Sequence, residues 1–142
     1  MNRRHDERGS AAVEVAIAAP LMMTIVMVAV AGGRIALAQG SVQQAASDAA
    51  RSASISRTAG QANSAGTAAA GATLANQGLH CLSTRITVDT SGFARPVGTP
   101  AEVTATVTCT LELADLAVPG LPGSRVVTAT MSSPLDNYRG RT

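Results

Sequence analysis

The longest apolar run of the chain lies near its N-terminus, between Glu14 and Arg34. The nineteen residues 15–33 carry no charge, and Thr24 is the one polar side chain among them. A helix of this length spans about 28 Å, close to the hydrocarbon thickness of a bilayer. A soluble helix usually keeps one polar face, which this run lacks. The pattern predicts a single membrane-spanning helix over residues 10–36.

A helical pattern continues beyond the predicted membrane segment. Small apolar residues recur at helical spacing and form one narrow stripe: Val42, Ala45, Ala46, Ala49 and Ala53. We therefore expect one helix from Ser10 to about Arg57, with residues 37–57 outside the membrane. On the opposite side, Asp48 and Arg51 are three residues apart, which allows an ion pair.

Residues 58–80 are rich in alanine and glycine. This composition allows either a short second helix over Gly66–Asn76 or a flexible linker. The high helix propensity of alanine favours the helix.

The C-terminal third changes to alternation of apolar and polar residues, which is typical of half-buried strands. The alternation predicts strands over Thr84–Val88, Val103–Leu113 and Val126–Ser132, separated by loops rich in glycine and proline. Three such strands in sequence predict an antiparallel meander over residues 81–133. Its apolar face would pack on the alanine stripe, and residues 134–142 would form a flexible tail. The predicted fold class is α+β.

The chain has two cysteines, Cys81 and Cys109, both on the same side of the predicted membrane segment. Outside a membrane, such a pair indicates a disulfide, which would stabilise the domain by roughly 3.5 kcal/mol. Two buried free thiols are the alternative.

Charge and composition exclude several classes of function. The net charge is +2, the basic residues are scattered, and Phe93 and Tyr138 are the two aromatic residues, so nucleic-acid binding is not indicated. The two histidines, His5 and His80, lie on opposite sides of the predicted membrane, and no spacing assembles a catalytic or metal-binding set. We expect no enzyme activity, no metal and no cofactor.

The arginines predict the orientation in the membrane. Arg3, Arg4 and Arg8 precede the apolar run, whereas Arg34 alone follows it closely. By the positive-inside rule, the N-terminus stays in the cytoplasm and the C-terminal domain lies outside the cell membrane.

The N-terminal third resembles a known family. Gly9, Ser10 and Glu14 before an apolar helix resemble the leader-cleavage motif of type IV prepilins. Over residues 8–51, the segments RGSAAVEVAIAAPLM, GGR and VQQAASDAAR resemble the TadE-like minor pilins of the tight-adherence (Tad/Flp) pilus system. Val15 stands where the family usually has an aromatic residue.

The resemblance implies a pilin-like architecture and a role in pilus assembly. A prepilin peptidase would cut between Gly9 and Ser10 and remove the leader, residues 1–9. Glu14 would then pair with the new amino group of a neighbouring subunit and fix the helix register, while Pro20 would bend the helix. The expected protein is a non-catalytic, membrane-anchored minor pilin (pseudopilin). Its expected partners are the membrane, other pilin subunits, the peptidase and the platform proteins of pilus assembly.

An ordinary secretory signal is the alternative. Residues 36–38 (Ala-Leu-Ala) have the small-x-small pattern that signal peptidase favours. The alternative function is a secreted or single-pass anchored extracytoplasmic binding domain that is unrelated to pili. Cleavage after Ala38 would release the secreted form, which begins at Gln39.

Overall fold

The computed structural model describes residues 7–112 and 123–136, and residues 7–12 by their backbone alone. These residues form two helices followed by three strands, which confirms the α+β class. The elements are α1 (Glu7–Ser54), α2 (Ala59–Asn76), β1 (Ser83–Asp89), β2 (Glu102–Glu112) and β3 (Ser124–Pro134), with a 3-10 turn at Ser91–Ala94.

Helix α1 is one continuous helix of 48 residues, about 72 Å long. It begins three residues before the predicted Ser10 and ends three residues before the predicted Arg57. Its first half stands clear of the other described elements, whereas its second half packs against α2 and the sheet. The alanine stripe is confirmed, because all five of its residues are fully buried.

Residues 59–76 form a helix rather than a linker. Helix α2 begins seven residues before the predicted Gly66, because Thr58 caps its N-terminus: the Thr58 hydroxyl accepts a hydrogen bond from the Gln61 N–H at 3.2 Å. At the other end, Gly78 adopts a positive φ of 64°. That conformation favours glycine and turns the chain back, so that the Leu79 N–H bonds to the Leu74 carbonyl at 3.1 Å.

The three strands form an antiparallel meander in the order β1-β2-β3. The register aligns Ile86 with Val107 and Val107 with Ala129, so the predicted apolar positions share one face. The other face carries cross-strand hydroxyl pairs: Thr106 with Thr130 at 3.0 Å and Thr108 with Thr128 at 3.1 Å. The predicted end of the second strand, Leu113, lies outside the described residues.

Asp48 of α1 forms a hydrogen bond to α2, whereas the sequence pattern placed it beside Arg51 on the opposite side of the helix from the alanine stripe. Asp48 accepts hydrogen bonds from the Thr73 hydroxyl at 2.8 Å and from the Gln44 side-chain amide at 3.0 Å. The expected Asp48–Arg51 ion pair is therefore wrong: the half-buried carboxylate faces α2, while Arg51 is exposed to solvent.

The sheet extends further towards the C-terminus than expected. Pro134 is the last residue of β3, and Leu135 is buried, with its N–H bonded to the Ala101 carbonyl at 2.8 Å. These two residues therefore belong to the folded domain rather than to the predicted flexible tail. Tyr138 and the rest of that predicted tail lie outside the described residues.

Candidate functional site

The first half of α1 exposes large apolar side chains on every side of the helix. Between Val13 and Val30, eleven of them are 47–69% exposed: Val13, Val15, Ile17, Leu21, Met22, Met23, Ile25, Val26, Met27, Val28 and Val30. Leaving such side chains in water costs about 1.5–3 kcal/mol each relative to burial. This surface therefore requires a cover of lipid or of other protein.

Length and composition are consistent with a lipid cover. Within the described residues, α1 is the one helix long and apolar enough to cross a bilayer. The window that meets this criterion is entirely unburied within the chain, unlike the core helix of a soluble protein. The helix fits a single-pass membrane anchor.

Pro20 lies inside α1, and the helix is continuous across it. Proline has no N–H, so the carbonyl of Ala16 loses its usual donor four residues on. The nearby Thr24 hydroxyl donates to the carbonyl of Pro20 at 2.8 Å, which satisfies the one polar side chain of the apolar run. The bend expected at Pro20 remains a prediction.

The three residues of the predicted processing motif lie in the first two turns of α1. Gly9 and Ser10 have helical backbone, and the Glu14 side chain is exposed one turn further on. Cleavage between Gly9 and Ser10 and the register role of Glu14 remain predictions.

Cys81 and Cys109 form a disulfide, with their Cα atoms 5.5 Å apart. Cys109 is fully buried in β2, and Cys81 is half-buried just before β1. The bond ties the start of β1 to the core that packs on α1. The alternative of two free thiols is wrong, since none remains.

The secretory alternative meets an obstacle at its proposed cleavage site. Ala38 is 3% exposed and belongs to the main core cluster, in the middle of a continuous helix. Cleavage after Ala38 would remove this core residue, and the helix before it, from the folded domain. The position of Ala38 therefore favours an intact helix.

The described part of the outer domain has shallow grooves. One lies between α2 and β1, has a volume of about 750 Å³, and is lined in part by His80 and Cys81. A second, of about 360 Å³, lies between α1 and β3 beside Gln39, Gln43 and Arg125. In the part of the chain that the structure describes, no three His, Cys, Asp or Glu side chains are grouped as metal ligands.

One carboxylate outside the membrane segment has a shifted pKa. The Ser91 N–H donates to Asp89 at 2.9 Å, and this bond, with a further one from the Ser91 side chain, lowers the pKa of Asp89 below its ordinary value. Asp89 is exposed at the end of β1, so the arrangement shapes a turn and assembles no reactive group.

Comparison with known proteins gives one match. Residues 9–51 match the family described as TadE-like protein, which confirms the resemblance over that segment, about a third of the chain. No curated protein and no solved structure matches the chain. The matched segment contains the predicted processing motif, the apolar run and most of the alanine stripe, whereas α2 and the sheet lie beyond it.

Proposed function

We propose that this chain, whose residues 9–51 are TadE-like, is a membrane-anchored minor pilin (pseudopilin) that takes part in assembling a tight-adherence pilus. The observation that carries the proposal is the coincidence of two features in one helix. The segment matched by the family contains the apolar run, residues 15–33, whose large side chains no other described part of the chain covers. A surface of this kind is built to be buried by something outside the chain.

In the first stage, lipid provides the cover. The arginines before the apolar run hold the N-terminus in the cytoplasm, and the disulfide-bonded domain lies outside the membrane, where oxidising conditions maintain the Cys81–Cys109 bond. The predicted leader, residues 1–9, is removed by a prepilin peptidase.

In the second stage, the apolar helices of other pilin subunits replace the lipid. Glu14 provides register in this otherwise non-specific contact. Ser10 lies four residues before Glu14, which corresponds to about 6 Å along a helix. A neighbouring subunit displaced axially by that distance brings its amino group level with the Glu14 carboxylate. An ion pair in such an apolar setting favours one register, because every other register leaves a buried charge unpaired.

The role is structural, and the partners are other pilin and minor pilin subunits, the peptidase and the platform proteins of the assembly machinery. The described part of the outer domain has an exposed hydroxyl-rich sheet face and shallow grooves, which are surfaces suited to contact with other subunits.

The proposal is tested by replacing Glu14 in cells that carry the tight-adherence machinery. We expect Glu14→Ala to remain in the membrane fraction but to lose most co-purification with other pilin subunits and most filament output. Glu112→Ala is the matched control, because Glu112 is an exposed glutamate at the end of β2 in the outer domain. Unchanged co-purification and filament output in Glu14→Ala would contradict the register role.

A further inference from the structure

Within residues 7–112 and 123–136, the sheet of the outer domain has two edges without a partner strand. Among the described residues, β1 pairs with β2 alone and β3 pairs with β2 alone. Each outer strand therefore presents a row of backbone N–H and C=O groups on its free side, which is a template for another strand. From Val126 to Ser133 the edge strand β3 carries no charged residue and no proline, so this stretch lacks the features that commonly block strand addition. The other edge strand, β1, carries Arg85 and Asp89.

The contacts between β3 and α1 show in which direction the two edge strands run relative to that helix. Arg125, near the start of β3, lines a groove with Gln39 of α1, and Ser133, near the end of β3, donates a hydrogen bond to Ser54 at 3.0 Å. Strand β3 therefore runs in the same direction as α1, away from the apolar segment. Strand β1 runs the same way, because both are antiparallel to β2.

This direction restricts how two copies of the chain can join. Copies anchored in one membrane have their α1 helices in the same direction, a condition that rests on the anchoring proposed above. Pairing β3 with β3 of another copy about a two-fold axis would be antiparallel and would place the two apolar segments at opposite ends. Pairing β3 of one copy with β1 of the next is parallel and keeps both apolar segments at the same end.

The grooves between the helices and the sheet also lie beside these two edge strands. The groove beside β3 lies at residues 125–128, and the groove beside β1 extends along residues 81–86. The register through β2 aligns Thr84 with Cys109 and Cys109 with Val127, so the two grooves lie at the same height. Side by side, they would bring the amides of Gln39 and Gln43 of one copy towards the exposed, small residues of α2 in the next.

We propose that the outer domain binds a second copy of this chain edge to edge, with β3 of one copy pairing in parallel with β1 of the next. The contact is heterologous, so each copy keeps one edge free, and the assembly grows into a row or closes into a ring. The axis of such an assembly is parallel to the α1 helices. Copies anchored in one membrane meet this condition, because their α1 helices all run in the same direction.

Cysteine cross-linking of the full chain in cell membranes tests this arrangement. Thr87 of β1 and Thr130 of β3 lie at the same height, each paired with Thr106 of the central strand, and both are exposed. Chains with Thr87→Cys and chains with Thr130→Cys, carrying tags of different size, are co-expressed and mildly oxidised. We expect the mixed dimer in several-fold excess over either homodimer. A chain with both substitutions should form a ladder beyond the dimer on non-reducing gels.

Two further experiments make the result decisive. Thr106→Cys on the central strand is the matched control and should cross-link with neither edge variant. The pair Arg85→Cys and Thr128→Cys repeats the test at a second height and should cross-link as well. Homodimers of Thr130→Cys as abundant as the mixed dimer, or cross-links at neither height, would overturn the edge contact.

Carbonate extraction of the same membranes separates this proposal from the proposed function. A chain that stays in the membrane without edge cross-links would overturn the edge contact alone. A chain that is released would contradict the anchoring on which both depend.

Discussion

Gly66 of α2 lies against Val88 of β1, at the point where α1, α2 and the sheet meet. A Cβ atom at Gly66 would lie 3.0 Å from the Val88 side chain and 3.1 Å from the Ala49 carbonyl oxygen. The absence of a side chain at this position lets α2 approach both neighbours at once. The thin, alanine-rich core depends on such approaches, since its residues bury little area each.

Gly66→Ala should lower the free energy of unfolding of the outer domain by about 1 kcal/mol. Crowding of the Ala49 backbone, about 1–3 kcal/mol, outweighs the higher helix propensity of alanine. Pulse proteolysis of the detergent-solubilised full chain in urea measures the change. Gly71→Ala is the control, because a Cβ at Gly71 meets nothing within 4 Å, and this variant should gain about 0.5–1 kcal/mol. Equal gains in both variants would show that the close contact at Gly66 is absent.

Removal of the disulfide should destabilise the outer domain strongly. Replacing both Cys81 and Cys109 by alanine frees the loop between them and should cost roughly 3.5 kcal/mol by the loop-entropy model. The same urea proteolysis measures the loss, with reduction of the unsubstituted chain as an independent check. A loss below about 1 kcal/mol in both experiments would contradict the stabilising role of the bond.

The alanine stripe should tolerate no larger side chain at its centre. Ala49 of α1 is fully buried against α2 and the sheet. Ala49→Leu should lower the free energy of unfolding of the outer domain by about 1–3 kcal/mol through overpacking, and should make the domain more sensitive to protease. Ala68→Leu, at an exposed position of α2, should change stability by less than about 0.5 kcal/mol. Equal protease resistance of the two variants would argue against close packing at Ala49.

Asp89 should titrate below its ordinary pKa of 3.8. A carboxylate with a lowered pKa in the folded state stabilises that state above its unfolded pKa, and the contribution is lost as the pH falls through the folded pKa. Carboxyl NMR of the full chain in micelles measures the titration. Ser91→Ala keeps the backbone N–H but removes the hydroxyl, so it should raise the pKa partway towards 3.8. A pKa at or above 3.8 in the unsubstituted chain would contradict the turn geometry.

The strongest features of the fold follow from periodicity. The period of two in β2 and the helical spacing of the alanine stripe each specify a buried face, and both faces are buried as expected. The start of α2 does not follow from periodicity, because a single capping hydrogen bond at Thr58 determines where the helix begins. Thr58 before an alanine-rich run was the available signal for that cap.

Contacts between distant segments were harder to foresee. The Asp48–Thr73 bond joins residues 25 positions apart, and the burial of Leu135 depends on a bond to Ala101. In both cases the local pattern resembled that of an exposed segment. For the site, the apolar run and the cysteine pair could be read from sequence, whereas the alignment of the two sheet edges required the register of all three strands.

The mature N-terminus of the chain in its native membrane, determined by mass spectrometry, tests the central claim most directly. A membrane-anchored minor pilin processed by a prepilin peptidase begins at Ser10 and retains the whole apolar run. A chain that begins at Gln39 and is found outside the membrane would contradict the account, because it would lack the helix on which anchoring and assembly both depend.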